Sequence, residues 1–289
     1  MTIATIDIGG TGIKFASLTP DGKILDKTST PTPETLEDLL AWLDQRLSEQ
    51  DYRGIAMSVP GAVNQETGEI EGISAIPYIH GFSWYQVLAH HQLPVHLEND
   101  ANCVGLSELL AHPETENAAC VVIGTGIGGA MIINGKLHRG RHGLGGEFGY
   151  MTTLAPTEKL NNWSQLASTG NMVRYVIEKS GQTDWDGRKI YQEAAAGNTL
   201  CQEAIERMNR NLAQGLLNIQ YLIDPDVISL GGSISQNPEF IKGVQKAVDA
   251  FVERYEEYTI APVIQACTYQ ADANLYGALV NWLQEENQW

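Results

Sequence analysis

Apolar positions along the chain switch between a strand period and a helix period, and the switches mark the elements. Ile3 to Ile8 is a strand run that leads into Asp7-Ile8-Gly9-Gly10-Thr11-Gly12-Ile13-Lys14 and a second strand, Phe15 to Leu18. The Asp21-Gly22 turn dipeptide predicts a third strand from Lys23 to Asp26. Thr32-Pro33-Glu34-Thr35 then opens a helix with Leu36, Leu39, Leu40, Leu43 and Leu47 at helical spacing. Ile55 to Val59 predicts a strand ending in the turn Ser58-Val59-Pro60-Gly61-Ala62-Val63, which could present backbone groups to a ligand. Leu93 to Leu97 alternates as a short strand, and Ala101 to Leu110 follows as a helix with Val104, Leu106, Leu109 and Leu110 available for burial. Cys201 to Ile223 carries the strongest helical pattern. It ends before the strand Val227 to Leu230 and the turn Gly231-Gly232-Ser233-Ile234.

The pattern repeats itself. Ala118 to Ile123, the turn Gly124-Thr125-Gly126-Ile127-Gly128-Gly129, a strand from Ala130 to Ile133 and Asn134-Gly135-Lys136 reproduce the order of the opening segment. Two copies of one supersecondary unit predict an α/β protein of two related domains facing each other across a cleft. The polar break His112 to Asn117 places the boundary. The expected domains are 1–117, joined by a C-terminal helix within 271–289, and 118–270. Leu275, Ala278, Leu279 and Trp282 share one side of that helix and are free to pack on the first domain.

Composition narrows the class. In 289 residues, 43% hydrophobic and 18% charged content describes an ordinary globular chain, long enough for two cores. A formal net charge of −17 argues against a nucleic-acid partner, because phosphate backbones need clustered Lys and Arg. The local exception, Lys136, His138, Arg139, Arg141 and His142, reads as a solvated loop. No apolar run approaches the ~18 residues of a membrane span, and no basic leader precedes the first strand. Cys103, Cys120, Cys201 and Cys267 match no metal-ligand spacing and read as thiols of a reducing compartment. The expectation is a cytoplasmic protein without a membrane partner.

Candidate chemistry gathers at the turns. Asp100, within Leu97-Glu98-Asn99-Asp100-Ala101-Asn102, stands at the junction of strand and helix. It is expected to cap the helix, and a carboxylate there also sits where open α/β sheets hold ligands, so it is the candidate general base. The two roles are compatible. In the first glycine turn, Gly9 and Gly10 allow close backbone approach, Thr11 adds a hydroxyl and Lys14 a cation. Asp7 beside a bound phosphate would need a divalent ion between them, which makes it a candidate Mg²⁺ partner through water. Such glycines also suit a plain tight hairpin. Gly124, Thr125, Gly126 and Gly128 form the second turn, and Gly231, Gly232 and Ser233 a third against which an adenine or ribose could lie. Glu147, in the loop Gly143 to Tyr150, suits hydrogen bonds to ligand hydroxyls or simple solvation. The aromatic loop Ile76 to Trp84 could cover a ligand ring or serve packing alone.

Asp7-Ile8-Gly9-Gly10-Thr11, Glu98-Asn99-Asp100-Ala101-Asn102, Gly124-Thr125-Gly126-Ile127-Gly128-Gly129, Gly146-Glu147-Phe148-Gly149 and Leu230-Gly231-Gly232-Ser233 together resemble the ROK family of sugar kinases and repressors over essentially the whole chain. The resemblance implies a two-domain actin-like ATPase (ribonuclease H-like) fold, ATP and Mg²⁺ as cofactors, and a homodimer. It implies that Asp100 takes the proton of a sugar 6-hydroxyl as that oxygen attacks the γ-phosphate. Asn99 and Glu147 would hold other ring hydroxyls, with Pro60, Gly61 and Tyr150 beside them. The turns Asp7 to Lys14, Gly124 to Gly128 and Gly231 to Ser233 would hold ATP. Repressor members carry an N-terminal helix-turn-helix, for which a first strand starting at Ile3 leaves no room.

The departures from that pattern bear on the substrate. Many members have His after the Glu-x-Gly of the loop and a Cys-x-Cys-Gly-x-x-Gly-Cys-x-Glu zinc motif beyond it. This chain has Tyr150, no cysteine between Ala155 and Ser168, and Ser164 near the place of the terminal Glu, so no zinc site is expected. In the family that His and Glu bind the hydroxyls at carbons 1 and 2. Their loss predicts a sugar substituted at the anomeric carbon, such as a β-glucoside or disaccharide. Free glucose and N-acetylmannosamine are the alternative substrates; a non-catalytic sugar sensor and an acetate-type kinase are the rival classes.

Overall fold

A computed structural model describes residues 2–153, 161–255 and 259–289. Part of the Ala155 to Ser168 segment compared with a zinc motif lies outside these residues. The chain forms two compact units, one of Met1–Glu114, Arg139–Gly145 and Ala271–Trp289, the other of Thr115–His138 and Gly146–Gln270.

The first unit opens with β1 (Thr2–Ile8), β2 (Gly12–Leu18) and β3 (Ile24–Pro31), joined antiparallel. β3 outruns the predicted Lys23 to Asp26 because it is a mostly exposed edge strand, held by its backbone pairing to β2 rather than by an apolar pattern. Next come α1 (Leu36–Leu47), β4 (Tyr52–Val59), the hairpin of β5 (Ala62–Asn64) and β6 (Glu69–Glu71), α2 (Trp84–Val87), β7 (Val95–Asn99) and α3 (Asp100–Ala111). The sheet order is β3-β2-β1-β4-β7, with β4 and β7 parallel to β1.

Strand alternation divides this unit's apolar residues between two faces. Ala4, Ile6, Ile8, Phe15 and Met57 pack on one side with Leu39 and Leu43 of α1. Ile76, Ile79 and Trp84 join that same core, with the Trp84 indole donating to the Ile79 carbonyl at 3.1 Å, so the aromatic loop serves packing. Ile3, Ala16, Leu18 and Ala56 face the other way, against Cys103 of α3.

The second unit repeats the plan. β8 (Ala118–Ile123), β9 (Ile127–Ile133) and β10 (Lys136–Leu137) are antiparallel neighbours. Then follow β11 (Thr152–Thr153), β12 (Asn161–Asn162), α4 (Trp163–Ala167), α5 (Thr169–Ser180), α6 (Gly187–Ala195), α7 (Thr199–Ile223), β13 (Val227–Gly231), α8 (Pro238–Arg254) and β14 (Ile264–Ala266). The order β10-β9-β8-β13-β14 matches the first sheet position by position, with β13 parallel to β8 and β14 parallel to β13. Its core sets Val121, Ile123 and Leu230 against Trp163, Leu212, Leu216 and Phe240.

α9 (Ala273–Glu285) belongs to the first unit, where Leu275, Ala278, Leu279, Trp282 and Leu283 complete the face shared with Cys103. Gly277 makes that packing possible: a Cβ there would lie 1.8 Å from the Cys103 carbonyl oxygen of α3. Two similar sheets, each of three antiparallel and two parallel strands, form the actin-like ATPase fold. Among the described residues no helix is long and apolar enough to cross a membrane.

Candidate active site

Three polar residues in a row close β7 and open α3. Glu98, the first, is 2% exposed, and both its oxygens are engaged. Oε1 accepts from the Asn99 N–H and from Asn102 Nδ2, each at 2.8 Å, while Oε2 accepts from Arg139 Nε at 2.6 Å and Gln65 Nε2 at 3.4 Å. Arg139 also reaches Asn281 Oδ1 at 2.7 Å and Glu285 Oε1 at 3.0 Å. Burial works to lower the Arg139 pKa, but Glu98 and Glu285 outweigh it and hold the guanidinium above its ordinary value. The basic segment around Arg139 is therefore not simply a solvated loop: its arginine is the counterion of a buried carboxylate.

Asn99, not Asp100, caps α3. The Asn99 Oδ1 accepts from the N–H groups of Ala101 at 2.9 Å and Asn102 at 3.2 Å, and its Nδ2 donates to the Gly61 carbonyl at 3.0 Å. The reason is register: Asn99 ends the strand with extended ψ and helical geometry starts at Asp100, so the cap falls one residue earlier than expected. The turn at Gly61 has φ +110°. Pro60 and Gly61 are half-buried beside it.

Asp100, the first helical residue, shares one of those N–H groups with the cap. Its Oδ1 accepts the N–H of Ala101 at 2.8 Å. Burial raises its pKa first and the neighbouring Asp7 charge adds to that, against the lowering pull of the Ala101 N–H. Desolvation makes this carboxylate a stronger base than a free one, in spite of the helix-start N–H it accepts.

Asp7 is 7% exposed, near the end of β1. It pairs across the hairpin with Lys14, whose Nζ lies 3.0 Å from Oδ2, and Asn274 Nδ2 of α9 donates to Oδ1 at 2.9 Å. Lys14 also donates to the Ala271 carbonyl. Gly9 N–H closes the turn on the Gly12 carbonyl at 3.1 Å and leaves Gly10 and Thr11 exposed.

In the second unit, Gly124 N–H closes on the Gly126 carbonyl at 2.9 Å, and Gly124 and Thr125 are exposed in the same way. Gly128 follows on β9, half-buried. Ser164, which sequence comparison set near a sugar-binding glutamate, spends its hydroxyl on this turn, accepting the Ile127 N–H at 2.9 Å. Glu147 precedes the short 3-10 turn Phe148–Tyr150 and is half-buried, and the Tyr150 side chain is 73% exposed.

The third turn, after Gly231, needs glycine at 232. Its φ is +90° and a Cβ would stand 2.1 Å from the Ile123 carbonyl oxygen. Ser233 lines a cavity of about 330 Å³ together with Thr169, Asp186, Arg188, Tyr191 and Asn237. The hydroxyls of Thr169 and Tyr191 are buried without a partner among the described residues, and burial pushes the Tyr191 phenol well above its ordinary pKa. Neither residue stood out in the sequence, since one lies at a helix start and the other in a helix interior. A further cavity, of about 440 Å³, lies in the first unit between Ala62 to Glu66 and Arg139 to Gly143.

With this geometry in place, comparison with known proteins is decisive. The ROK family model matches residues 3–285. The chain belongs to the ROK family. Among ROK relatives, a beta-glucoside kinase of Listeria monocytogenes is 35% identical over 298 residues, covering 100% of this chain and 99% of that protein. A ROK family protein from Streptococcus pneumoniae TIGR4, solved as a crystal structure in complex with sucrose, is 90% identical with a TM-score of 0.98, covering 100% of both chains. The ROK hexokinase of Thermus thermophilus superposes with a TM-score of 0.86 at 26% identity, covering 99% of this chain and 100% of the other.

Proposed function

We propose that this ROK protein is an ATP-dependent sugar kinase that phosphorylates the 6-hydroxyl of a glucosyl unit whose anomeric oxygen is already substituted, with Asp100 as general base. The observation that carries the reading is Asp100 itself: a carboxylate at the first position of α3, next to the Asn99 cap, raised in pKa by burial. Its proton-free form accepts the hydroxyl proton as the sugar oxygen forms a bond to the γ-phosphorus and the bond to the ADP oxygen breaks. Asn99, Gly61, Pro60, Glu147 and Tyr150 are the proposed sugar-binding groups.

The glycine turns supply the nucleotide's partners. Exposed backbone at Gly10, Thr11, Gly124 and Thr125 suits phosphate oxygens. The orphaned hydroxyls of Thr169 and Tyr191 beside Ser233 suit the polar edges of an adenosine. Asp7 fits contact with hydrated Mg²⁺, because each of its oxygens keeps a lone-pair site after serving Lys14 and Asn274. When bound, that ion neutralises phosphate charge.

Three features favour a glycoside over a free sugar. Tyr150 replaces the family's His, and the Ser164 hydroxyl is committed to backbone. The cavity between Ala62 to Glu66 and Arg139 to Gly143 offers room for a second ring. The relatives include a named beta-glucoside kinase and a protein crystallised with sucrose, a glucoside with no free anomeric hydroxyl. A coupled ADP-release assay over cellobiose, an aryl β-glucoside, sucrose, glucose and N-acetylmannosamine tests the reading. Glycosides should give the higher kcat/KM; a marked preference for either free monosaccharide overturns the substrate assignment. Sugar-independent ADP release overturns the kinase.

A further inference from the structure

His90 and His91 end a 3-10 turn, Ala89–His91, ahead of β7, and both imidazoles reach the same carboxylate on α1. Nε2 of His90 is 3.1 Å and Nε2 of His91 is 2.8 Å from Asp44 Oδ1, and the two rings lie 4.0 Å apart between centroids. The other nitrogen of His90 settles its tautomer. Nδ1 is 3.0 Å from the Val87 carbonyl, which can only accept, so Nδ1 carries the hydrogen. In neutral His90 the Nε2 lone pair then faces the carboxylate oxygen. Two acceptors at that distance repel unless a cation lies between them.

A proton on His90 would answer this for one ring only, and it would set an imidazolium against the tilted His91 ring, with 39° between the planes. A metal ion answers it for both rings at once. The three ligand atoms lie within 4.8 Å of one another, and the two N···O separations, 3.1 and 2.8 Å, are somewhat shorter than the roughly 3.3 Å between ligands of a tetrahedral Zn²⁺ site. The Nδ1–H to carbonyl bond is the outer contact that metal-binding imidazoles ordinarily have. Two nitrogen donors select a borderline transition metal over Mg²⁺ or Ca²⁺. His90 and Asp44 are about half exposed, which leaves room for water as a further ligand.

We propose that Asp44, His90 and His91 form a surface site for one divalent transition-metal ion of the Zn²⁺ class, clamping α1 to the turn before β7. None of the three belongs to the candidate active site, so the proposal stands apart from the kinase reading. A ligand that binds only the folded chain raises its stability, so the clamp is visible in melting.

The test uses the full-length protein stripped of metal, with ZnSO₄ titrated by calorimetry and melting followed with and without Zn²⁺. Wild type should bind one equivalent that His90→Gln/His91→Gln loses, and Asp44→Asn should weaken that equivalent about ten-fold or more. Zn²⁺ should raise the melting temperature of wild type but not of the double variant, whose metal-free melting temperature should equal wild type. Cu²⁺ substituted into wild type should show nitrogen hyperfine coupling from two imidazoles. Unchanged stoichiometry and affinity in the double variant, an all-oxygen Cu²⁺ spectrum, or no binding at millimolar Zn²⁺ would each overturn the site.

Discussion

Removing the Arg139 guanidinium isolates the effect of the buried pair beneath the Asn99-Asp100 turn. In Arg139→Met, Glu98, 2% exposed in the wild type, keeps the Asn99 N–H, the Asn102 amide and the weaker Gln65 contact but loses its 2.6 Å charged partner. A carboxylate left buried without its cation typically costs about 3–5 kcal/mol. Arg139 is itself 28% exposed, so water can enter part of the vacated space and the lower end, about 3 kcal/mol, is expected. The double variant Glu98→Gln/Arg139→Met removes the stranded charge and should recover most of that loss. Urea unfolding followed by tryptophan fluorescence, comparing midpoints at constant slope, measures both. A loss below about 1 kcal/mol in Arg139→Met, or a double variant no more stable than the single one, would refute the reasoning. The same substitution should lower kcat, because Glu98 fixes the Asn99 N–H and the Asn102 side chain on either side of Asp100.

Asp100→Asn should lower kcat by about 10²–10⁴-fold while sugar binding, measured by calorimetry, is retained. The raised Asp100 pKa also sets a sign: ionising this carboxylate destabilises the folded chain above its folded pKa, and the penalty is absent below the unfolded value. Asp100→Asn should therefore unfold at equal or higher urea at neutral pH and gain nothing in acid below the usual aspartate range. For the same reason the acid limb of kcat/KM in wild type should lie above that range and disappear with the Asn variant. Gly277→Ala should lose at least about 1–3 kcal/mol in the same urea assay, since its methyl meets the Cys103 carbonyl at 1.8 Å.

Much of the framework was legible in the chain because it depends on short-range periods. Ile3 to Ile8 and Ala118 to Ile123 alternate or run apolar as buried strands must, and each is followed by a glycine turn and an antiparallel neighbour. The repeated order of those units is the repeated order of the two sheets. The α7 pattern around Met208, Leu212 and Leu216 likewise read directly, since a helix buries one stripe.

Tertiary structure decided what no period encodes. Which residue caps α3 depended on where β7 stops pairing with β4, and that register is a property of the sheet. Arg139 meets Glu98, Asn274 meets Asp7, and His90 and His91 meet Asp44 across long stretches of chain. A single charged or polar residue has no periodicity to announce its partner, and only the packing of strands and helices brings such pairs within reach.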